Sequence, residues 1–166
     1  SDSDFLTEGR SDNVLEIWLY DTTTMTYTRV TSASDSTRES FDPNLSANGT
    51  VVAFYSNADL LDEGRPDDVY EIWLYDTTTM TYTRVTSASH EGRSSYDPSL
   101  SAGGTVVAFD SDSDLLDEGI PDQQFEVWLY DTATMTYTRI TFASSPSRSS
   151  WNPSLSADGT VVAFQG

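Results

Sequence analysis

The hexapeptide EIWLYD at Glu16–Asp21 occurs again unchanged at Glu71–Asp76 and a third time as EVWLYD at Glu126–Asp131. The intervals, 71 minus 16 and 126 minus 71, are both 55 residues. A fixed period of this size marks a repeat architecture, in which identical supersecondary units stack on one another. At that period residues 1–55, 56–110 and 111–165 align without insertion or deletion, and only Gly166 is left over. The chain is therefore read as one segment, 1–166, made of three copies of one unit.

Within a copy the apolar pattern is that of strands, with no run of helical period. Val14–Tyr20 is apolar on both faces: Leu15, Ile17 and Leu19 point one way, Trp18 and Tyr20 the other. A strand of this kind belongs to a sheet covered on both sides. Asp21–Thr24 make a polar turn, and Met25–Thr31 return as a threonine-rich strand suited to an exposed outer edge. After a polar connection, Phe41–Ser46 form a short strand whose Pro43 fits only where its missing donor faces no neighbour. Ala47-Asn48-Gly49 turns the chain into TVVAF at Thr50–Phe54, matched by Ala102-Gly103-Gly104 and Ala157-Asp158-Gly159 before Thr105–Phe109 and Thr160–Phe164. The unit is all-β, with four antiparallel strands per period.

Composition narrows the partners. Twenty-seven acidic residues face eight basic ones, all arginine, for a net charge of −19. That field argues against nucleic acid and anionic membranes. Adaptation to high salt and compositional drift copied with the repeat explain the absence of lysine equally well. There is no cysteine, so disulfides and thiolate chemistry are excluded, and no apolar run approaches the length of a membrane span. The opening SDSDFLTEGR lacks the basic and apolar regions of a secretory signal.

The run DPSLSAGGTVVAF at Asp97–Phe109, with EVWLYD at Glu126–Asp131 and TRIT at Thr138–Thr141, resembles the TolB-type, WD-like β-propeller repeat. The resemblance spans all three copies and implies four-stranded blades. It puts the proline-bearing strand innermost, followed outward by the TVVAF, EIWLYD and TRVT strands. It also implies an extracytoplasmic setting if the protein is natural; near-identity of the copies fits recent duplication or engineering. Thr24, Thr79 and Thr134 stand where the family favours glycine in the outer hairpin, and most members carry more repeats. In this frame residues 1–32 supply the outer half of one blade and residues 150–165 the inner half of another.

Propellers close with four to eight blades, so three cannot complete a circle. The expectation is a head-to-tail ring of shared blades. The interface would contain Leu15, Ile17, Trp18, Leu19 and Tyr20 from the start of the chain and Trp151, Val161, Val162 and Phe164 from its end. A six-bladed homodimer is favoured, with a nine-bladed homotrimer next. The alternative is a ligand- or protein-binding propeller using the loops Ser32–Ser40, Ser87–Ser95 and Phe142–Ser150.

Other candidates have bland counterparts. Asp110, Asp112 and Asp114 alternate as calcium ligands can, yet the EF-hand glycine and glutamate are missing, and a solvated acidic loop is the favoured reading. Arg38, Arg93 and Arg148 recur beside Phe41, Tyr96 and Trp151 and could ring a channel and bind an anion, although pairing with nearby carboxylates is favoured and the aromatics are expected to pack between blades. His90 is the sole histidine and has Asp35 and Ser145 as equivalents, so no repeated imidazole site exists. No cofactor and no enzymatic reaction are expected. Asn48-Gly49-Thr50 is read as turn chemistry rather than a glycosylation site.

Overall fold

The computed structural model describes residues 14–32, 37–64, 69–87, 92–121, 123–143 and 148–166. Its strands are β1 (Trp18–Asp21), β2 (Thr26–Arg29), β3 (Ser40–Leu45), β4 (Val51–Ser56), β5 (Glu71–Asp76), β6 (Thr81–Arg84), β7 (Ser95–Leu100), β8 (Val106–Ser111), β9 (Glu126–Asp131), β10 (Thr136–Arg139), β11 (Trp151–Leu155) and β12 (Val162–Gln165). They form two complete antiparallel blades, β3-β4-β5-β6 and β7-β8-β9-β10, flanked by the two-stranded sheets β1-β2 and β11-β12. The proline strand is at one edge of each complete blade and the threonine strand at the other.

Local chemistry accounts for this order. Pro43 and Pro98 sit on edge strands, inside register shifts that open after Phe41 and Tyr96, so no ladder donor is lost. Asp42, Asp97 and Asn152, each just before the proline, take left-handed φ of 49°, 52° and 51°; aspartate and asparagine tolerate this region best among residues with a Cβ. In the outer hairpins Asp21, Asp76 and Asp131 accept hydrogen bonds from the backbone two and three residues on, at 2.7–3.0 Å. These bonds hold the three carboxyls below the ordinary aspartate pKa. Threonine is accommodated in these turns because the left-handed residue is the next one, Met25, Met80 or Met135, with φ of 57–58°.

The strand boundaries differ from the sequence reading in an informative way. The first strand, expected over Val14–Tyr20, is hydrogen-bonded as a strand only from Trp18 to Asp21. In the complete blades the earlier residues, Glu71 and Ile72, have their ladder partners, Ser56 and Tyr55, on the TVVAF strand, while Ile72 also accepts from Val85 N. No such strand lies beside β1 among the described residues, and so the ladder begins later. The threonine strand is likewise shorter than Met25–Thr31, because Met25 belongs to the turn.

Blades pack face to face. Val52, Phe54, Trp73 and Tyr75 of the first complete blade cover Ile17 and Val30, which flank β1 and β2. Its other face, with Ala53, Ile72, Leu74 and Val85, meets Val107, Phe109, Trp128 and Tyr130 of the second. β11 in turn lies against β7, β8 and β9. Backbone and side-chain bonds staple neighbouring blades at the inner strands: Ala47 N donates to Ala102 O (2.9 Å), Ala102 N to Ala157 O (2.8 Å), Leu100 N to Asn44 Oδ1 (2.8 Å) and Leu155 N to Ser99 Oγ (2.9 Å). Every apolar strand face thus needs a blade on each side, and the series of staples runs out only at the two ends.

Candidate functional site

The feature that stands apart from the repeating body is its pair of ends. In both complete blades the TVVAF strand pairs with the EIWLYD strand in one register: Val51↔Asp76, Val52↔Tyr75, Ala53↔Leu74, Phe54↔Trp73, Tyr55↔Ile72, and the same shifted by a period. Among the described residues β12 has no third strand beside it and β1 has no second, and the two sheets are not joined to each other. Unpaired edges of this kind present rows of backbone donors and acceptors that template another strand.

Side chains repeat the asymmetry. Phe54 and Phe109 are 0% exposed, whereas Phe164 at the same repeat position is 46% exposed. Tyr75 and Tyr130 are 5% and 7% exposed, against 50% for Tyr20, and Leu100 is 7% exposed, against 52% for Leu45. Val161 and Trp151 are also exposed, while Leu15, Trp18, Leu19 and Val162 are half-buried. Ile17 is already buried against the neighbouring blade, unlike Leu15, Trp18, Leu19 and Tyr20 at the same end.

The turn glycines register the same gap. A Cβ on Gly104 would lie 2.9 Å from Val51 Cγ2 and one on Gly159 3.3 Å from Val106 Cγ2, but at Gly49 it would meet nothing within 4 Å. The equivalent valine of the third copy is Val161, two periods after Val51 at the other end of the chain. Hollows lie at both ends: about 820 Å³ lined by Ile140, Phe142, Arg148, Trp151 and Phe164 at one. At the other are about 310 Å³ beside Leu15, Trp18, Phe41 and Pro43 and about 430 Å³ beside Leu19, Tyr20, Leu45, Gly49 and Tyr75.

The acidic loop is built differently from the sequence reading. Asp110 and Asp112 are 1% and 4% exposed, and so neither belongs to a solvated loop. Asp112 Oδ1 accepts the Ser94 backbone N–H at 2.8 Å, the same bond that Asn57 Oδ1 accepts from Glu39 at 2.7 Å one period earlier. Burial pushes the Asp112 carboxyl above its ordinary pKa. Asp110 Oδ1 accepts from Asn152 N at 3.1 Å. Burial first, and then the Asp97 carboxylate, push its pKa up to about 7. Asp114 ties the loop by accepting from the backbone of Glu118, Gly119 and Ile120. These carboxyls are spent on backbone donors, and among the described residues no group of three or more potential ligands could hold a metal ion.

The arginines diverge. Arg93 is buried and donates to the Asp112 and Ile120 carbonyls at 3.0 and 3.1 Å, locking the acidic loop instead of facing a channel. Arg38 is half-buried, and Arg148 is exposed in the larger hollow. Phe41, Tyr55, Tyr70, Tyr96 and Phe125 form a contiguous row with ring centroids 5.2–6.1 Å apart, bridging neighbouring blades. His90 lies outside the described residues, as do parts of the three variable loops.

Sequence reasoning missed the glutamate that opens the hexapeptide. Glu126 is fully buried and accepts from Thr141, Ala143 N, Gln124 and Arg139. Those four donors outweigh the cost of burial and leave its pKa below the ordinary value. Glu71 likewise accepts from Thr86. The signal was present in the invariant pairing of that glutamate with a threonine fifteen residues later.

No protein-family model and no curated protein matches the sequence. Among solved structures the chain is similar to TolB from Acinetobacter baumannii, with TM-score 0.55 and 25% identity over 90% of this chain and 31% of that one. It is also similar to a prolyl endopeptidase, with TM-score 0.61 and 13% identity over 90% of this chain and 22% of that one. A third likeness is to the tricorn protease, with TM-score 0.57 and 17% identity over 87% and 12%. The chain spans less than a third of each of these. The likeness shows the fold, a β-propeller of TolB-like blades.

Proposed function

We propose that the chain is a non-enzymatic, self-complementary propeller segment that associates head to tail, β12 of one copy beside β1 of the next, into a closed ring. The observation that carries this reading is the contrast at equivalent positions: Phe54 and Phe109 fully buried, Phe164 half exposed, with Tyr20 and Leu45 exposed in the same way at the opposite end. The missing environment of each end is what the other end supplies. Carrying the internal register forward one period sets Val161 opposite Asp21, Val162 opposite Tyr20, Ala163 opposite Leu19 and Phe164 opposite Trp18 of the next copy. The same shift brings Val161 against Gly49, Leu45 N to Ser154 Oγ and Ala157 N to the Ala47 carbonyl.

The contact is heterologous, so it makes a ring when the rotation per chain divides a full turn. Two chains give six blades and three give nine; six is within the common range for propellers. Returning the exposed part of Phe164 to an interior stabilises each junction by about 2 kcal/mol at ~25 cal/mol per Å², before the strand ladder is added. Sedimentation equilibrium of the 166-residue chain over a range of concentrations tests the proposal. Two or three times the mass of one chain is expected, and a species of one chain's mass at every concentration overturns it.

A further inference from the structure

The third copy of the repeat differs from the second at two positions that meet in space. Asp97 of β7, half-buried, and Asp110 of β8, buried, face each other, with the exposed Asp42 of β3 beside Asp97. One period on, the residues are Asn152 on β11 and Gln165 on β12. The interior slot holds three carboxyls, and the end slot replaces two of them by amides. Asp110 is 1% exposed where Asn152 covers it, while Gln165 is open to solvent.

We propose that Asn152 and Gln165 are the specificity pair of the head-to-tail contact, neutral amides placed to receive Asp42 of a second copy of this chain. The inference rests on the head-to-tail reading and names the residues that make it work in an acidic protein. The geometry follows from the interior slot. Asn152 N donates to Asp110 Oδ1 at 3.1 Å, and the same bond one period later runs from Asp42 N of the next copy to Gln165 Oε1. Carrying the surroundings of Asp110 forward one period, the groups at position 165 are Trp151 and Asn152 on β11 and, from the next copy, Ile17 beside β1 and Asp42 on β3. One of these is a carboxylate. A second at position 165 would have to be buried beside it, as Asp110 is beside Asp97, and a carboxyl buried against a carboxylate stays protonated. Gln165 supplies the acceptor oxygen without needing a proton, and Asn152 removes the charge that would oppose Asp42. The junction therefore closes at neutral pH without taking up protons, in a chain of net charge −19.

Gln165→Asp tests this. Position 165 is exposed in the separate chain, so the aspartate ionises normally there and must bind a proton on association. Sedimentation equilibrium at pH 5 and pH 8 in about 0.5 M salt, where general repulsion is screened, reads the effect. The unaltered chain is expected to associate equally at both pH values. Gln165→Asp is expected to associate at pH 5 and to weaken on the order of a hundredfold per junction at pH 8, and Gln165→Asn to restore the pH-independent behaviour. Equal association of Gln165→Asp at both pH values overturns the proposal, as does an equally steep loss in the unaltered chain. If the unaltered chain never exceeds the mass of one copy, the head-to-tail reading itself fails, which is a separate result. Far-ultraviolet circular dichroism of each variant establishes that the blades are formed.

Discussion

Replacing Asp110 by asparagine separates the charge of a buried carboxyl from its hydrogen bonds. The amide keeps an oxygen to accept the Asn152 N–H and gains a fixed donor toward Asp97, as the protonated acid has. With the folded pKa at about 7 against an ordinary 3.8, the folded state holds a proton that the unfolded chain has already lost. Stability from this group is therefore fully present below the unfolded value, falls as pH rises from there, and levels off above about 7. At ~1.4 kcal/mol per unit the full cost approaches about 4 kcal/mol at pH 8 and is about 1.5 kcal/mol at pH 5. Asp110→Asn should thus be more stable than the unaltered chain at both pH values, with an advantage that widens by about 2.5 kcal/mol between them. Urea unfolding followed by tryptophan fluorescence, at one protein concentration and several pH values, measures the difference. An advantage that does not change with pH, or a variant less stable at pH 8, refutes the account of Asp110 as a buried acid strained by Asp97.

Phe164→Ala should weaken association by about tenfold or more per junction while leaving the separate chain folded. The same change at Phe109, fully buried, should cost the fold itself about 3–5 kcal/mol by chemical denaturation. Asp112→Asn should be neutral or stabilising at pH 7 in a thermal melt, because Asn57 already makes the same backbone bond without a charge. Gly104→Ala meets both a left-handed φ of 72° and Val51 at 2.9 Å, so it should destabilise the folded chain by about 2 kcal/mol or more. Gly49→Ala, with φ 74° and open space around it, should cost the separate chain about 1 kcal/mol and show its larger effect on association, where Val161 arrives.

The blade was legible because its evidence is local and stated three times. The 55-residue period, the doubly apolar EIWLYD run, the proline that demands an edge and the glycine-bearing turn each point to one strand order. The structure has that order. Residues whose role depends on distant neighbours were not legible. Asp110, the first aspartate of DSDSD, reads as a surface residue until the fold places Asn152 and Asp97 over it. Arg93 reads as one of many possible ion-pair partners until two carbonyls, nineteen and twenty-seven residues away, turn toward it. The short first strand, Trp18–Asp21, likewise reflects its having no TVVAF strand beside it among the described residues rather than anything in its own sequence.

By itself the sequence determined the unit and its strand order, since these follow from side-chain alternation and turn chemistry within about fifty residues. Only the tertiary structure decided which members of each threefold-repeated set are buried and which lie open. Phe54, Phe109 and Phe164 occupy the same place in the same motif, yet the last is exposed because burial belongs to the neighbour that covers a face and not to the residue that carries it.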